Sequence, residues 1–321
     1  MTPTVSPLPI EGSPVPGESL MGFVLRMSLA NHFSGIQWLG TILGKDRIFH
    51  LSNDQVPTIS WIFGAPIESL RDISISFVAG NRNSYWNFYS HPISKSYLIR
   101  HRTPQLCTKC IEETGVIKKI WDLRAVTVCP VHRILLSDLC EQCGKQISWN
   151  RPSIFSCACT FDFRRSKLTP MSPDECKIAQ SLENKLLIDD NLLANLTLTD
   201  PIGLLNPLSV DGAARIILAT GLLKDSTDLL AAGKSKKRIG TKTMHEVGKR
   251  SISRLASLGY GFDDRKICAE FLTTALLNLE RDGLNQSDRD LAWQLVHLGR
   301  KGLPSRASLL GRNPRSQLEL F

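Results

Sequence analysis

The sequence predicts a mainly α-helical protein with a small cysteine-rich module in its middle. Seven of the nine cysteines lie between residues 107 and 159 of the 321-residue chain. On either side of this stretch, apolar residues recur at helical spacing and begin after residues that cap helices. We therefore expect an N-terminal helical region over residues 1–100, a central module over 101–170 and a C-terminal helical domain over 171–321.

The cysteine-rich module contains two sets of four residues with metal-ligand spacing. They are Cys107, Cys110, Cys129 and His132, followed by Cys140, Cys143, Cys157 and Cys159. The first set has the form C-x2-C, an 18-residue gap, then C-x2-H, and the second has the form C-x2-C, a 13-residue gap, then C-x-C. Paired thiolates from two turns give the tetrahedral shell that zinc prefers. The module is therefore predicted to be two tandem zinc ribbons, each holding one Zn²⁺.

Other interpretations of these cysteines fit less well. Disulfides are not expected, because no apolar leader is visible that would direct the chain to an oxidising compartment. Ordinary buried thiols would be scattered along the chain, as Cys176 and Cys268 are, rather than arranged in pairs. A catalytic zinc keeps one coordination position open, whereas each set here supplies four ligands. The sequence thus predicts structural zinc ions and no enzymatic activity.

Composition and charge limit the class of protein. With 42% hydrophobic and 21% charged residues, the chain is expected to fold as a soluble, cytoplasmic protein without a membrane span. The net charge is +9, and the basic excess lies in two segments. Residues 100–170 carry twelve basic and six acidic groups, and residues 201–321 carry nineteen and twelve. This distribution favours an anionic partner such as DNA.

The N-terminal region begins with an extended arm over residues 1–17. A helix is expected from about Ser19, a turn near Asn31, and a second helix that ends before Gly44. A third short helix is expected from Pro66 to Arg71. The first two helices fit either a DNA-binding helix-turn-helix or a plain helical hairpin, since both have the same pattern. Residues 74–102 are rich in aromatic side chains and are expected to be irregular and to pack on the zinc module.

The residues between the zinc ligands resemble those of the TniQ family. The matching elements are Arg102 and Pro104, Cys107-Thr108-Lys109-Cys110, Trp121, Val128-Cys129-Pro130-Val131-His132, Leu135-Leu136, and Cys140-Glu141-Gln142-Cys143-Gly144. Near the N-terminus, Pro16-Gly17-Glu18-Ser19-Leu20 with Arg26 and Asn31 looks like the opening motif of the same family. The resemblance covers about residues 14–165. Thr108 and Thr160 depart from it, standing where the family usually has Pro and often has Gly.

This resemblance implies a role in DNA transposition. TniQ proteins are non-catalytic adaptors that help to choose the target site in transposons whose transposase is controlled by an AAA+ ATPase. Relatives of the TnsD type read a fixed attachment sequence, and others dock on a CRISPR effector complex. The implied partners are therefore the AAA+ ATPase, target DNA and, in some members, the effector complex. The oligomeric state stays open, a homodimer included.

The C-terminal region is predicted to be helical throughout. Ser172-Pro173-Asp174-Glu175 forms a capping box in front of an amphipathic helix. Further helices are expected over Val210–Thr220, Met244–Leu258, Asp264–Arg281 and Asp288–Arg300. The candidate DNA-binding residues are Lys234, Lys236, Lys237, Arg238, Lys242, Lys249, Arg250 and Arg254. Their side chains could neutralise phosphates, although a solvated loop beside an ordinary charged helix face has the same composition.

Three functions remain in view at this point. A target-selection adaptor explains the ligand sets, the opening motif and the basic C-terminal region together. A stand-alone zinc-containing DNA-binding regulator is the alternative, since spacing and charge alone do not exclude it. A zinc hydrolase or nuclease is the third, but the sequence contains no H-E-x-x-H motif. In the adaptor, the N-terminal helices and zinc module are expected to dock partner proteins, and the C-terminal helices to supply DNA reading or effector docking.

Overall fold

A computed structural model describes residues 6–80, 84–187, 201–225, 239–258 and 264–301. In this part of the chain the fold is mainly α-helical, as predicted. The helices are α1 Leu20–Ala30, α2 Leu39–Leu43, α3 Val56–Phe63, α4 Ile67–Asp72, α5 Thr108–Thr114, α6 Pro173–Leu187, α7 Val210–Gly221, α8 Thr241–Ser257, α9 Asp264–Ala269, α10 Thr273–Asp282 and α11 Gln286–Lys301. The strands are β1 Ile75–Val78, β2 Tyr85–Phe88, β3 His91–Ile93, β4 Val128–Cys129 and β5 Ile134–Leu135. None of the helices in the described ranges is both long and apolar enough to cross a membrane.

Helix α1 begins where the sequence predicts. The Ser19 hydroxyl accepts a hydrogen bond from the Gly22 N–H at 3.2 Å, which satisfies one of the free donors of the first turn. The helix ends at Asn31, whose side chain also donates to the Ile10 carbonyl at 2.8 Å. The N-terminal arm is therefore held against α1 by the residue that caps it.

The rest of the N-terminal region differs from the prediction in one helix. α2 follows α1, but it begins at Leu39 and has only five residues. α4 follows Pro66 as expected. α3 was not predicted, and it buries Ile59, Ile62 and Phe63 completely. The Phe63 ring packs edge-on against Phe23 of α1, so α3 contributes to the apolar core beside α1.

The expectation that residues 74–102 are irregular is wrong. Strands β1, β2 and β3 form an antiparallel sheet in sequential order, with Ile75 opposite Phe88 and Trp86 opposite Ile93. The aromatic residues do contact the central module, as expected. Trp86 lies with its ring centroid 4.5 Å from that of His101, and the hydroxyl of the buried Tyr89 donates to the Asp122 carboxylate. The sheet thus links the helical region to the module.

The helices of the C-terminal region follow the prediction with two corrections. The capping box before α6 is present, since Ser172 N–H donates to Glu175 at 2.9 Å. α7 and α11 lie within two residues of their predicted bounds. α8 begins at Thr241 rather than Met244, because the buried Thr241 N–H donates to the Asp138 carboxylate at 2.8 Å. The helix expected over residues 264–281 is two helices, separated by residues 270–272.

Buried polar contacts join the C-terminal helices to the rest of the described chain. Arg100 forms an ion pair with Asp138 at 3.2 Å and donates to the Thr241 hydroxyl at 3.0 Å. That hydroxyl in turn donates to the Gln105 side chain at 2.7 Å. At the start of α7, the buried Asp211 accepts hydrogen bonds from the Ser94 backbone and side chain. Because buried polar groups are costly to separate from their partners, these contacts fix α8 relative to the module and α7 relative to the segment after β3.

Candidate metal centres

The first four predicted ligands converge on one point. Cys107 caps the N-terminus of α5, and Cys110 lies in its first turn. Cys129 ends β4, and His132 lies in the turn between β4 and β5. The His132 Nδ1 atom lies 3.4 Å from the Sγ of Cys107, 3.2 Å from that of Cys110 and 3.6 Å from that of Cys129. The Cys110 and Cys129 sulfurs are 3.6 Å apart. The three thiols are buried, so the donors face one another away from solvent.

The orientation of His132 is set by an acidic residue outside the ligand set. The Glu113 carboxylate lies 2.9 Å from the His132 Nε2 atom, so Nδ1 is the nitrogen that faces the sulfurs. Carboxylates commonly orient metal-binding histidines in this way and make them more basic ligands. Sequence reasoning missed Glu113. Its position three residues after Cys110, one turn along α5, is the signal that could have identified it.

The second four ligands form another cluster. The Sγ atoms of Cys140 and Cys159 are 3.6 Å apart, and those of Cys143 and Cys157 are 3.9 Å apart. All four sulfurs lie within 4.8 Å of one another. Cys140 and Cys157 are buried, whereas Cys143 and Cys159 are half-buried. This cluster is therefore closer to solvent than the first.

Each half of the second cluster is a tight turn that contains a residue in the left-handed region. Gly144 has φ of 68° and its N–H donates to the Cys140 carbonyl at 2.8 Å. Thr160 has φ of 72° and its N–H donates to the Cys157 carbonyl at 2.9 Å. The two turns thus have the same backbone geometry at the residue after the last cysteine of each pair. Thr160 occupies a position that favours glycine, because a β-branched residue is strained there.

The separations in both clusters fit a tetrahedral ion. Zn–S bonds of about 2.3 Å place ligand atoms about 3.8 Å apart at the edges of a tetrahedron. Six pairs of ligand atoms are 3.2–3.9 Å apart, close to this value, and all pairs within each cluster lie within 4.8 Å. Three thiols with one imidazole nitrogen, and four thiols, are the donor sets that soft divalent ions take up. Both clusters could therefore hold a metal ion, as the sequence predicts.

Hydrogen bonds within the first cluster shift its thiol pKa values in opposite directions. The hydrogen bond between Cys107 and Cys129 lowers the pKa of Cys129, whereas the hydrogen bond between Cys107 and Cys110 raises the pKa of Cys110. One thiolate is thus favoured at the expense of its neighbours, because adjacent negative charges repel. A divalent cation at the centre would remove that conflict and allow all three sulfurs to deprotonate.

The opening motif of the chain is connected to the metal clusters through backbone pairing. The fully buried Glu18 receives two hydrogen bonds of 2.8 Å from the Arg26 guanidinium. On either side of it, Ser19 N–H donates to the Ile117 carbonyl at 2.9 Å, and Lys119 N–H donates to the Gly17 carbonyl at 2.7 Å. Residues 117 and 119 lie between the two ligand pairs of the first cluster. The motif therefore holds α1 against the segment that separates these pairs.

Comparison with protein families gives a direct match to this part of the structure. The TniQ family model matches residues 9–136, which include the opening motif and the complete first cluster. Residues 9–136 belong to the TniQ family. No curated protein sequence matches the chain at a significant level. The match of this segment to TniQ supports a role associated with transposition.

The candidate DNA-binding residues fall into two groups. Lys234, Lys236, Lys237 and Arg238 lie outside the described residues. The other four lie on α8, where Lys242 is exposed. Lys249 is also largely exposed and forms an ion pair with Glu175 at 3.3 Å. These two lysines lie on the surface, where they could contact an anionic partner.

The two arginines of α8 take part in packing within the fold. Arg250 donates to the carbonyl of Gly221 at 2.9 Å. Arg254 is buried, forms an ion pair with Glu270, and donates to the Thr220 carbonyl at 2.7 Å. Its guanidinium therefore satisfies the carbonyl groups at the end of α7. A contact of Arg254 with DNA would require it to give up these bonds.

Proposed function

We propose that this protein is a target-site selection adaptor in DNA transposition, which links target DNA to an AAA+ ATPase that regulates the transposase. The single observation that carries the proposal is the match of residues 9–136 to the TniQ family. The convergence of the eight predicted ligands supports it, because the spacing that suggested the family also gives two compact four-ligand clusters. In this proposal the bound ions are Zn²⁺ and the protein is not an enzyme.

Structural zinc fits the surroundings of the clusters. Each cluster already supplies four ligands, which leaves no open position for a reacting water. The ions would instead hold together the short helix, strands and turns that carry the ligands. In the first site, Glu113 would keep His132 in place through its Nε2 atom. Both ions would therefore act by keeping the module rigid between the N-terminal and C-terminal helices.

The ATPase would dock on the N-terminal and central parts of the chain. Four apolar side chains of the described residues there are more than half exposed: Trp61 on α3 at 59%, Phe77 on β1 at 56%, Val131 in the β4–β5 turn at 63%, and Leu139 before the second cluster at 52%. Large apolar side chains on a rigid surface are typical anchors of protein interfaces. Val131 lies between two residues of the metal-binding turn, so zinc would fix its position.

Co-purification with the AAA+ ATPase encoded by the same mobile element tests the proposal. We expect a complex with the intact protein that is strengthened by target DNA. Val131→Asp and Leu139→Asp should weaken the complex, whereas Leu277→Asp on α10, at a side chain that is 38% exposed, should not. No association of the zinc-loaded protein with the ATPase, with or without DNA, would refute the adaptor function.

The source of target specificity is a second part of the proposal. The protein would either read an attachment sequence through its C-terminal helices or dock on a CRISPR effector complex that finds the target with guide RNA. Selective binding to one attachment sequence, measured against scrambled duplexes, would support direct reading. Co-purification with an effector complex encoded beside the gene would support docking. Membership of the family fits both routes.

A further inference from the structure

A basic cavity of about 820 Å³ opens between the central module and the start of α8. The side chains of Arg100, His101, Arg102 and Arg124 line it, together with polar groups such as Gln146. No acidic side chain of the described residues is part of this lining. Arg102 and Gln146 are exposed, whereas Arg100 and Arg124 are buried deeper in the wall. The cavity thus leads from an exposed arginine to two buried ones.

Arg124 is a buried cation without an ion-pair partner among the described residues. Its side chain is only 7% exposed, and its Nε and Nη1 atoms donate to the carbonyls of Tyr97 and Ile239, both at 2.7 Å. Neither bond involves a carboxylate. Since burying an unpaired charge is costly, a guanidinium in this position is expected to have a counter-ion from outside the described fold.

The neighbouring groups compensate only part of the positive charge of the cavity. Arg100 shares the carboxylate of Asp138 with the N-terminus of α8, and its Nε atom has no hydrogen-bond partner among the described residues. Both ring nitrogens of His101 are buried and likewise lack a hydrogen-bond partner in the described ranges. Burial, together with the nearby His50, Arg102 and Arg124, lowers the pKa of His101 to about 4. The imidazole is therefore neutral at pH 7, chiefly because it is buried.

We propose that this cavity binds a phosphate group, supplied by the backbone of target DNA. Guanidinium groups match phosphate oxygens in geometry and charge, and buried arginines bind them more strongly than exposed ones. A free nucleotide carries the same group, but the excess of twelve basic over six acidic residues in 100–170 favours an extended polyanion. The choice of DNA rests on the proposed function, whereas the phosphate site rests on the unpaired arginines alone.

Salt-dependent binding to duplex DNA provides the test. Arg102→Gln removes the exposed arginine at the mouth of the cavity and should leave the fold intact. A lost phosphate contact weakens binding about tenfold at low salt. Loss of the contact also makes the fall of log K with log salt concentration less steep, by about 1 in the slope. The matched control is Arg164→Gln, because Arg164 is an exposed arginine of the same module that is already paired with Asp162 at 2.6 Å. The control should keep the affinity and slope of the intact protein.

A second variant tests the buried part of the cavity. Arg124→Gln should reduce the affinity more than Arg102→Gln, provided that its melting temperature and metal content match those of the intact protein. If that variant does not fold, His101→Gln together with Arg102→Gln should lower the affinity further than Arg102→Gln alone. An unchanged salt slope in every folded cavity variant, or no DNA binding by the intact protein, would overturn the inference.

Two further probes distinguish the source of the anion. Thermal stabilisation by deoxyadenosine monophosphate that is lost in Arg102→Gln, without a change in duplex binding, would overturn DNA as the source. The same result with a polyglutamate peptide would assign the cavity to an acidic protein and overturn the phosphate site. Failure of the proposed function can be told apart from failure of this inference. If the protein does not associate with the ATPase, but Arg102→Gln still weakens DNA binding, the adaptor function is refuted and the phosphate site stands.

Discussion

Replacing Glu113 by glutamine should weaken metal binding at the first cluster only. The carboxylate lies 2.9 Å from the His132 Nε2 atom, while His132 Nδ1 faces the three sulfurs. Glutamine keeps the shape of the side chain but removes its charge, so the histidine becomes a weaker donor to the ion. Loss of such a partner typically costs about 10- to 100-fold in metal affinity. Because Glu113 is 56% exposed and therefore screened by water, we expect the lower end, about tenfold.

A chelator competition with Co²⁺ or Zn²⁺ measures this effect within one molecule. The first cluster has three sulfurs and one nitrogen and the second has four sulfurs, so their Co²⁺ spectra differ and each site reports separately. In Glu113→Gln the first site should lose its metal at about one tenth of the chelator strength needed for the intact protein. The second site should be unchanged, which makes it an internal reference.

Glu112→Gln is the matched control for this experiment. Glu112 precedes Glu113 on α5 and pairs with Lys109 at 2.8 Å, on the exposed face of the helix. The variant carries the same charge change one residue away and should bind metal like the intact protein. Equal affinities at the first site in both glutamine variants would refute the role of Glu113. A fall in both would show that the net charge of α5, rather than the bond to His132, governs the affinity.

Three other predictions concern backbone conformation at the second cluster, the contact between α7 and α8, and the pH dependence of stability. Thr160→Gly should raise the melting temperature, because φ of 72° costs an L-residue about 1–2 kcal/mol. For the same reason Gly144→Ala, at φ of 68°, should lower the melting temperature. Shifts of equal sign in the two variants would contradict this explanation. Gly221→Ala should lower the unfolding free energy measured in urea by about 1–3 kcal/mol. The reason is that its Cβ would lie 2.0 Å from a carbonyl oxygen of α8, and unaltered stability would show that α7 and α8 are farther apart. Burial raises the pKa of Asp122 from 3.8 to about 7. The folded state therefore holds a proton that the unfolded state releases, and stability should fall between about pH 4 and 7 by up to about 1.4 kcal/mol per pH unit. Asp122→Asn should remove this fall, and identical pH profiles for both proteins would disprove it.

The features that the sequence predicts well are those with a local chemical cause. The ligand pairs belong to short turns, so their spacing alone brings each pair together. α1 and α6 begin at Ser19 and Ser172, whose side chains bond within their own first turns. α3 lacks such a signal, because its apolar residues surround Pro57 and no side chain caps its first turn. The helix is stabilised by burial in the core, which a single sequence does not display.

Other errors come from contacts between distant segments. The aromatic stretch before Arg102 forms a sheet of strands that are only three or four residues long. Strands this short show little alternation of apolar and polar residues, so the sequence does not reveal them. Likewise, a run of basic residues does not reveal which side chains are buried. Lys249 is half exposed on α8, whereas Arg254, about one turn further along, satisfies carbonyl groups of α7. Charge patterning alone treats both as equal candidates for binding phosphate.

One carboxylate connects the second metal cluster with the helical half of the molecule. Asp138 lies two residues before Cys140, pairs with Arg100 at 3.2 Å, and accepts the Thr241 N–H at 2.8 Å. Thr241 is the first residue of α8, and at that end of a helix the N–H groups need acceptors. A metal that fixes Cys140 would therefore also fix the acceptor on which α8 begins. Metal binding at the second cluster would thus be coupled to the position of α8 and its exposed lysines.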